Sequence, residues 1–200
     1  MKLDYIKTIS VASGFLLLLP CRPMYIKQIP EIKINGPYKH KYLPISFPEN
    51  ILNFKRVRIT KFAEDEKDVA IGYDLKTSDK DISFTIYLTS ASKYNLTHED
   101  TLVQIIENSK GSILYYYDSV EIISEENSKF KNLFPGKRIV FKYRHPERSD
   151  PSYSELYLYK ISDWIIKYRI SYPIYQEIYV QEDIENIIKE IENYYLDAYQ

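Results

Sequence analysis

The sequence has a single cysteine, Cys21, and this scarcity excludes an internal disulfide and any metal site built from several cysteines. The three histidines, His40, His98 and His145, lie far apart along the chain. The H-E-x-x-H zinc motif, the Walker loop, the G-x-G-x-x-G loop and the G-x-S-x-G elbow are all absent. The sequence therefore predicts no metal, no cofactor and no catalytic residues.

An excess of charge of one sign is also missing. The 27 Lys and Arg residues nearly balance the 28 Asp and Glu residues, whereas nucleic-acid-binding domains are usually strongly basic. We therefore expect no nucleic-acid partner. Tyrosine is abundant, with 21 residues beside 5 glycines. This composition fits either a tyrosine-rich contact surface or the codon usage of an AT-rich genome.

The first 21 residues have the pattern of a signal for export. Lys2 and Lys7 precede an uncharged, largely apolar run at residues 8–19. A positive segment before an apolar run of about 7–15 residues is typical of secretory signals, and a membrane span needs about 20 apolar residues. A buried helix is disfavoured because Pro20-Cys21-Arg22-Pro23 follows at once. We expect the protein in the periplasm or cell envelope.

The end of this run, Leu18-Leu19-Pro20-Cys21, resembles a bacterial lipobox, in which the cysteine becomes acylated. Pro20 departs from the pattern, which has Gly, Ala or Ser there, so an uncleaved anchor and a secreted form remain open. Acylation of Cys21 would tether the chain to a membrane. Five prolines punctuate residues 22–48, which predicts an extended tether before one domain at residues 49–200.

The spacing of apolar residues predicts the elements of this domain. Alternation indicates seven strands, at residues 54–62, 69–75, 82–89, 120–124, 138–145, 153–160 and 164–172. Helical spacing indicates a middle helix at residues 97–117, weakened by Gly111, and an amphipathic C-terminal helix at residues 184–198. Without βαβ alternation, we expect an α+β fold, with an antiparallel sheet packed by both helices. Its core should include Phe141, Trp164, Ile166, Ile187 and Ile191.

Two segments mark the order of elements in this domain. Ile45-Ser46-Phe47-Pro48 opens it, and Gly136-Lys137-Arg138-Ile139-Val140-Phe141 precedes its closing hairpin. Together with the early strands, the long middle helix and the closing hairpin before a terminal helix, residues 43–196 resemble the PsbP-like fold. That family includes an extrinsic photosystem subunit, a Ran-binding nucleotide-release factor and bacterial envelope lipoproteins. Its members are generally non-enzymatic adaptors, assembly factors or proteins of unknown role, so the resemblance argues against an enzyme and names no ligand.

Two polar segments are candidate sites with simpler explanations. His98-Glu99-Asp100 could hold a metal, but consecutive helical residues point apart, and acids at a helix start complement its dipole. The loop from His145 to Asp150 contains the residue types of a triad, yet it lacks a nucleophile elbow. We interpret both segments as solvated surface.

The late strands carry cations opposite their apolar residues, namely Lys142, Arg144, Lys167 and Arg169. A tight hairpin pairing Lys160 with Ile165 would place Leu158 beside Lys167 and Leu156 beside Arg169. These cations are candidates for binding an anionic partner, either lipid headgroups or an acidic protein surface. Alternatively, the middle helix covers this face in part and the cations only reach water.

The leading hypothesis is a non-catalytic binding or assembly module of the cell envelope. A carrier of small ligands or lipids is an alternative, and it would need an apolar cavity between helix and sheet. An enzyme whose site combines scattered polar residues is another, and it would need a deep pocket with convergent groups.

Overall fold

Eight antiparallel strands form the central sheet of the protein, and two α-helices pack on it. The computed structural model describes residues 30–94, 100–144 and 150–197. The strands in these residues are β1 (Tyr38–Lys39), β2 (Ser46–Phe47), β3 (Asn50–Ile51), β4 (Phe54–Lys61), β5 (Asp68–Lys76), β6 (Asp81–Ser90), β7 (Asp118–Phe130), β8 (Phe134–Arg144), β9 (Pro151–Ile161) and β10 (Trp164–Pro173). The α-helices are α1 (Asp100–Tyr116) and α2 (Glu177–Asp197). This is the α+β architecture expected from the sequence.

The path of the chain puts a long helix between two groups of strands. β3, β4, β5 and β6 follow one another across one half of the sheet. α1 then carries the chain to the far edge, where β7 begins, and β8, β9 and β10 return until β10 pairs with β6. β1 and β2 form a separate two-stranded sheet.

Each face of the central sheet is covered by one helix. α1 buries Ile105, Ile106 and Ile113 against apolar residues of β8, β9 and β10. α2 buries Ile184, Ile187 and Ile191 against the opposite face, in a larger core rich in tyrosine and phenylalanine. We name these the α1 face and the α2 face. Because α1 packs toward β8–β10, the part of the α1 face over β4–β6 carries polar side chains.

The predicted hairpins and core residues are largely confirmed. β9 and β10 pair Lys160 with Ile165, which is the expected register, and β5 pairs with β6 across a short polar turn. Phe141, Ile166, Ile187 and Ile191 are buried, whereas Trp164 is half-buried at the edge of the core.

The helix boundaries differ from the predictions. α1 continues through Gly111. α2 begins at Glu177, earlier than predicted, because its first turns expose Ile178 and Tyr179 and so lack an inward-facing apolar pattern.

The structure places residues 38–48 in the domain rather than in the tether expected at residues 22–48. Four apolar side chains of this stretch are buried in the core of the α2 face, namely Tyr38, Leu43, Ile45 and Phe47. Arg56 holds the stretch by donating to the carbonyls of Phe47 and Gly36, both at 2.7 Å. The prolines therefore mark turns of a packed segment, since the apolar residues between them fill the core.

Candidate functional site: a cationic cleft on the sheet

A cross-strand row of the α1 face runs through two arginines. Arg58 pairs with Gly72, Gly72 pairs with Thr85, and Thr85 pairs with Arg169. Directly opposite residues of antiparallel strands project from the same face. Arg58 of β4 and Arg169 of β10 therefore share the α1 face, with a glycine and a threonine between them.

A β-bulge turns Arg58 to this face. β4 pairs Arg56 with Tyr73 and Arg58 with Gly72, which leaves Val57 as an extra residue. In a regular strand, residues two apart project the same way, and a bulge changes the direction of a side chain. Arg56 thus reaches the N-terminal segment on the α2 face, whereas Arg58 turns toward the α1 face.

Gly72 allows the side chain of Arg58 to lie close to β5. A Cβ atom at Gly72 would come within 3.0 Å of Arg58 Cγ and 3.2 Å of Arg58 Nε. Glycine inside a strand often marks such a close approach. Among the described residues, the exposed Arg58 has no hydrogen-bond or ion-pair partner.

The guanidinium of Arg169 is held by neutral groups. Arg169 Nε donates to Ser154 Oγ at 3.2 Å, and Arg169 Nη2 donates to Tyr117 Oη at 3.0 Å. Arg169 Cζ also lies 5.2 Å from the centroid of the Tyr117 ring, a cation–π contact. Ser154 is fully buried, and the end of α1 positions Tyr117, whose amide donates to the carbonyl of Ile113. The remaining N–H groups of Arg169 have no partner among the described residues.

Both arginines line a cavity of about 440 Å³, which we call the cleft. Most of its other lining residues carry hydroxyl groups, including Ser83, Thr85, Tyr87, Tyr117, Tyr143, Ser152 and Ser171. A smaller recess of about 220 Å³ adjoins it between α1 and the sheet, and Tyr87 and Arg169 line both. Lys167 lines the recess, with its Nζ 4.2 Å from the centroid of the Tyr87 ring.

No carboxylate lines the cleft among the described residues. Asp74, on the same face, accepts a hydrogen bond from Ser83 Oγ at 3.0 Å and pairs with Lys76 at 3.3 Å. Asp68 accepts a hydrogen bond from Thr89 Oγ1 at 2.9 Å. Among the described residues, the positive charges of Arg58 and Arg169 therefore have no counter-charge in the cleft. A cleft lined only by positive charge attracts anions.

The four predicted cations do not share one face of the sheet. Lys167 and Arg169 lie on the α1 face beside Leu158 and Leu156, as predicted. Lys142 and Arg144 alternate with Tyr143, which lines the cleft, so they project toward the α2 face. A helix covers each face of the sheet, so a strand can bury its apolar residues on either face. Ile139 and Phe141 of β8 pack toward α1, whereas Ile166 and Ile170 of β10 pack toward α2. The cations of these two strands therefore project from opposite faces.

Several sequence predictions lie outside the described residues. Cys21, the His98-Glu99 pair and the loop residues His145 to Ser149 belong to segments that the structure does not describe, and Asp150 is exposed. In the described ranges, no group of three His, Cys, Asp or Glu side chains is placed to hold a metal ion. No α-helix of these ranges is long and apolar enough to cross a membrane.

A second charged cluster lies on the α2 face, around Glu155. The fully buried Glu155 accepts hydrogen bonds from Arg138 Nε and Nη2, at 2.9 and 2.8 Å. It also accepts from the hydroxyls of Tyr157 and Tyr172, at 2.9 and 2.7 Å. Burial, reinforced by the negative charge of Glu155, raises the pKa of both tyrosines. Both carboxylate oxygens are engaged, and Arg138 also pairs with Glu126, so the charges of this cluster are satisfied within the fold.

Comparison with known proteins finds a distant sequence relative. No protein-family model matches the chain. The HTH-type transcriptional regulator QacR of Staphylococcus aureus is 26% identical over 133 residues, covering 62% of this chain and 68% of the regulator. A helix-turn-helix has two helices joined by a short turn. The α-helices of the described ranges, α1 and α2, are instead separated by β7–β10.

Two solved structures are similar at a low level. The protein of unknown function PA94 from Pseudomonas aeruginosa has a TM-score of 0.44 and 8% identity, covering 75% of this chain and 90% of its own. The Ran-binding protein Mog1p of Saccharomyces cerevisiae has a TM-score of 0.41 and 10% identity, covering 85% of this chain and 93% of its own. The resemblance to the PsbP-like fold stays a prediction.

Proposed function

We propose that this protein is a non-catalytic binding module that holds an anionic partner in the cleft. One observation carries the proposal. The guanidinium of Arg169 is oriented by Ser154 and Tyr117, both neutral, while its other N–H groups remain without a described partner. An oriented guanidinium binds carboxylate or phosphate oxygens well, because little side-chain freedom is lost on binding.

The composition of the cleft supports binding more than chemistry. Its described lining consists of hydroxyl groups and guanidinium groups, without a histidine, a cysteine or a carboxylate to act as a base. A serine hydroxyl needs such a neighbour to become a nucleophile. The cleft hydroxyls therefore suit hydrogen bonding to a ligand.

A carrier of apolar ligands is less well supported. The recess between α1 and the sheet measures about 220 Å³ and includes Lys167 and Arg169 in its lining. Ligand pockets usually span about 300–1,000 Å³ and are mostly apolar.

Titration with inorganic phosphate tests the anion site. In NMR spectra of backbone amides, we expect phosphate to shift Thr85, Tyr117 and Ser154, with chloride of matched ionic strength as the reference. Arg169→Gln should abolish these shifts because it removes the oriented charge. Arg144→Gln is the matched control, since Arg144 is exposed and projects toward the α2 face. Equal shifts in wild type and Arg169→Gln would contradict the proposal.

We also propose that the protein is exported and tethered to a membrane through Cys21. The support is the positive, apolar and lipobox-like order of residues 1–21. Metabolic labelling with a fatty acid should mark the wild-type protein and leave Cys21→Ser unlabelled, while fractionation finds the wild type outside the cytoplasm. Labelling that survives in Cys21→Ser would remove Cys21 as the acylated residue.

A further inference from the structure

The two arginines of the cleft are too far apart to hold one small anion together. Arg58 crosses β5 above Gly72, whereas the guanidinium of Arg169 leans toward Ser154 of β9. The strand order β5-β6-β10-β9 lies between these two points. At about 4.8 Å per strand, the two charged groups are roughly 10–15 Å apart. A single phosphate bound to one guanidinium therefore leaves the other one free.

The floor between the arginines is neutral and rich in hydroxyl groups. Ser83, Thr85 and Tyr87 of β6 lie in the middle of the cleft lining. Hydroxyl groups both donate and accept hydrogen bonds, so they match the hydroxyl groups of a ligand. Asp74, the acid beside this floor, already pairs with Lys76 and Ser83. The cleft thus has two positive ends and a polar, uncharged middle.

We infer that the cleft binds one small, extended ligand with an anionic group at each end and a hydroxylated middle, the chemistry of a sugar or polyol bisphosphate. This inference rests on the proposed anion-binding function and specifies its ligand. The volume of about 440 Å³ lies within the usual range for small-molecule pockets. A concave site of this size suits a small ligand better than a flat acidic protein surface.

Calorimetric titration of the full chain with two probes tests the inference. Fructose 1,6-bisphosphate should bind at least about ten-fold more tightly than fructose 6-phosphate, because each additional charge-assisted pair strengthens binding. Arg58→Gln and Arg169→Gln should each weaken bisphosphate binding about ten-fold. Arg58→Gln should change monophosphate binding by only about two-fold, since the oriented Arg169 remains, whereas Arg169→Gln should weaken it about ten-fold or more. The double variant should bind neither probe, and Arg144→Gln should behave like the wild type.

A second variant separates lost charge from lost position. Gly72→Ala keeps every charge, but its Cβ would lie 3.0 Å from Arg58 Cγ and displace that side chain. We expect it to weaken bisphosphate binding about two- to three-fold, less than Arg58→Gln does, and to leave monophosphate binding unchanged. The far-ultraviolet circular dichroism of each variant serves as the check on folding.

The outcomes distinguish this inference from the function on which it rests. Equal affinities for the two probes, or an Arg58→Gln variant that binds the bisphosphate as tightly as wild type, would overturn the two-anion ligand. If inorganic phosphate still shifts the amides around Arg169, the anion-binding proposal survives that result. Absence of binding by phosphate and by both sugar probes would overturn both.

Discussion

The two faces of the sheet hold their arginine side chains with different kinds of partner. On the α2 face, the guanidinium of Arg138 is paired with the carboxylate of Glu155, which two tyrosine hydroxyls also contact. On the α1 face, the guanidinium of Arg169 is held by a serine and a tyrosine hydroxyl. The first arrangement neutralises its charge within the fold. The second positions a charge without neutralising it.

This difference separates a stabilising role from a binding role. A buried carboxylate without its counter-charge is costly, so the groups of the Glu155 cluster depend on one another. Arg169 is half-buried and lines a cavity, so its charge can be solvated in the free protein. We therefore expect variants of the α2 face to change stability and variants of the α1 face to change affinity.

The largest expected effect is on Glu155. Arg138→Gln leaves the fully buried carboxylate of Glu155 without its counter-charge and should lower the free energy of unfolding by about 3–5 kcal/mol, the usual effect of breaking a buried ion pair. Arg169→Gln, the matched change on the α1 face, should lower it by less than about 1 kcal/mol, as at other partly exposed polar sites. Urea denaturation followed by circular dichroism measures both. Similar losses in the two variants would remove the distinction between the faces.

A buried histidine extends the comparison to pH. His40 Nδ1 accepts hydrogen bonds from the amides of Leu43 and Tyr42, at 3.1 and 3.3 Å, and its ring packs edge-on against Trp164. Burial lowers the pKa of His40 to about 4, although the negative charge of Glu66 acts to raise this pKa. An imidazole in an unfolded chain has a pKa near 6.5. The unfolded chain therefore takes up the proton first as the pH falls.

The contribution of neutral His40 to the free energy of unfolding is therefore fully present above about pH 6.5, and it declines as the pH falls toward 4. The expected loss is about 3 kcal/mol, at about 1.4 kcal/mol for each unit of pKa difference. Unfolding free energies measured between pH 7 and pH 4 should fall more steeply for wild type than for His40→Gln. In that difference, the contributions of the other titrating groups cancel. Parallel pH curves would show that His40 is not held neutral in the fold.

The sequence predicts the strands better than it predicts which way they face. Period-two alternation and the short link between residues 160 and 165 are enough to predict the β9–β10 register. Alternation alone does not say which helix an apolar set faces, so it cannot predict that Lys142 and Arg144 project from the face opposite Lys167 and Arg169. The bulge at Val57 likewise prevents a prediction of the face from which Arg58 projects, because an inserted residue reverses the alternation. Gly72, a glycine inside a predicted strand, is the feature of the sequence that indicates a close approach by a neighbouring side chain.

The smallest expected effect compares two tyrosines of β10 that project toward the α2 face, Tyr168 and Tyr172. Both rings are buried, but only Tyr172 Oη has described hydrogen bonds, to Glu155 at 2.7 Å and from Gln181 at 3.1 Å. Among the described residues, Tyr168 Oη is buried without a hydrogen-bond partner. Replacing each residue by phenylalanine removes the same atom from the same strand, so the two variants differ in what that atom contacts.

Tyr172→Phe should lower the free energy of unfolding by about 1–2 kcal/mol, because it leaves a buried carboxylate oxygen without its donor. Tyr168→Phe should leave stability unchanged or raise it by up to about 1 kcal/mol, because a buried hydroxyl without a partner is itself unfavourable. Urea midpoints measured side by side, with the slopes compared to confirm the same unfolding transition, resolve differences of this size. An equal loss in both variants would mean that the Tyr168 hydroxyl has a partner in solution. The α2 face would then satisfy the hydroxyls of both tyrosines as well as the carboxylate of Glu155.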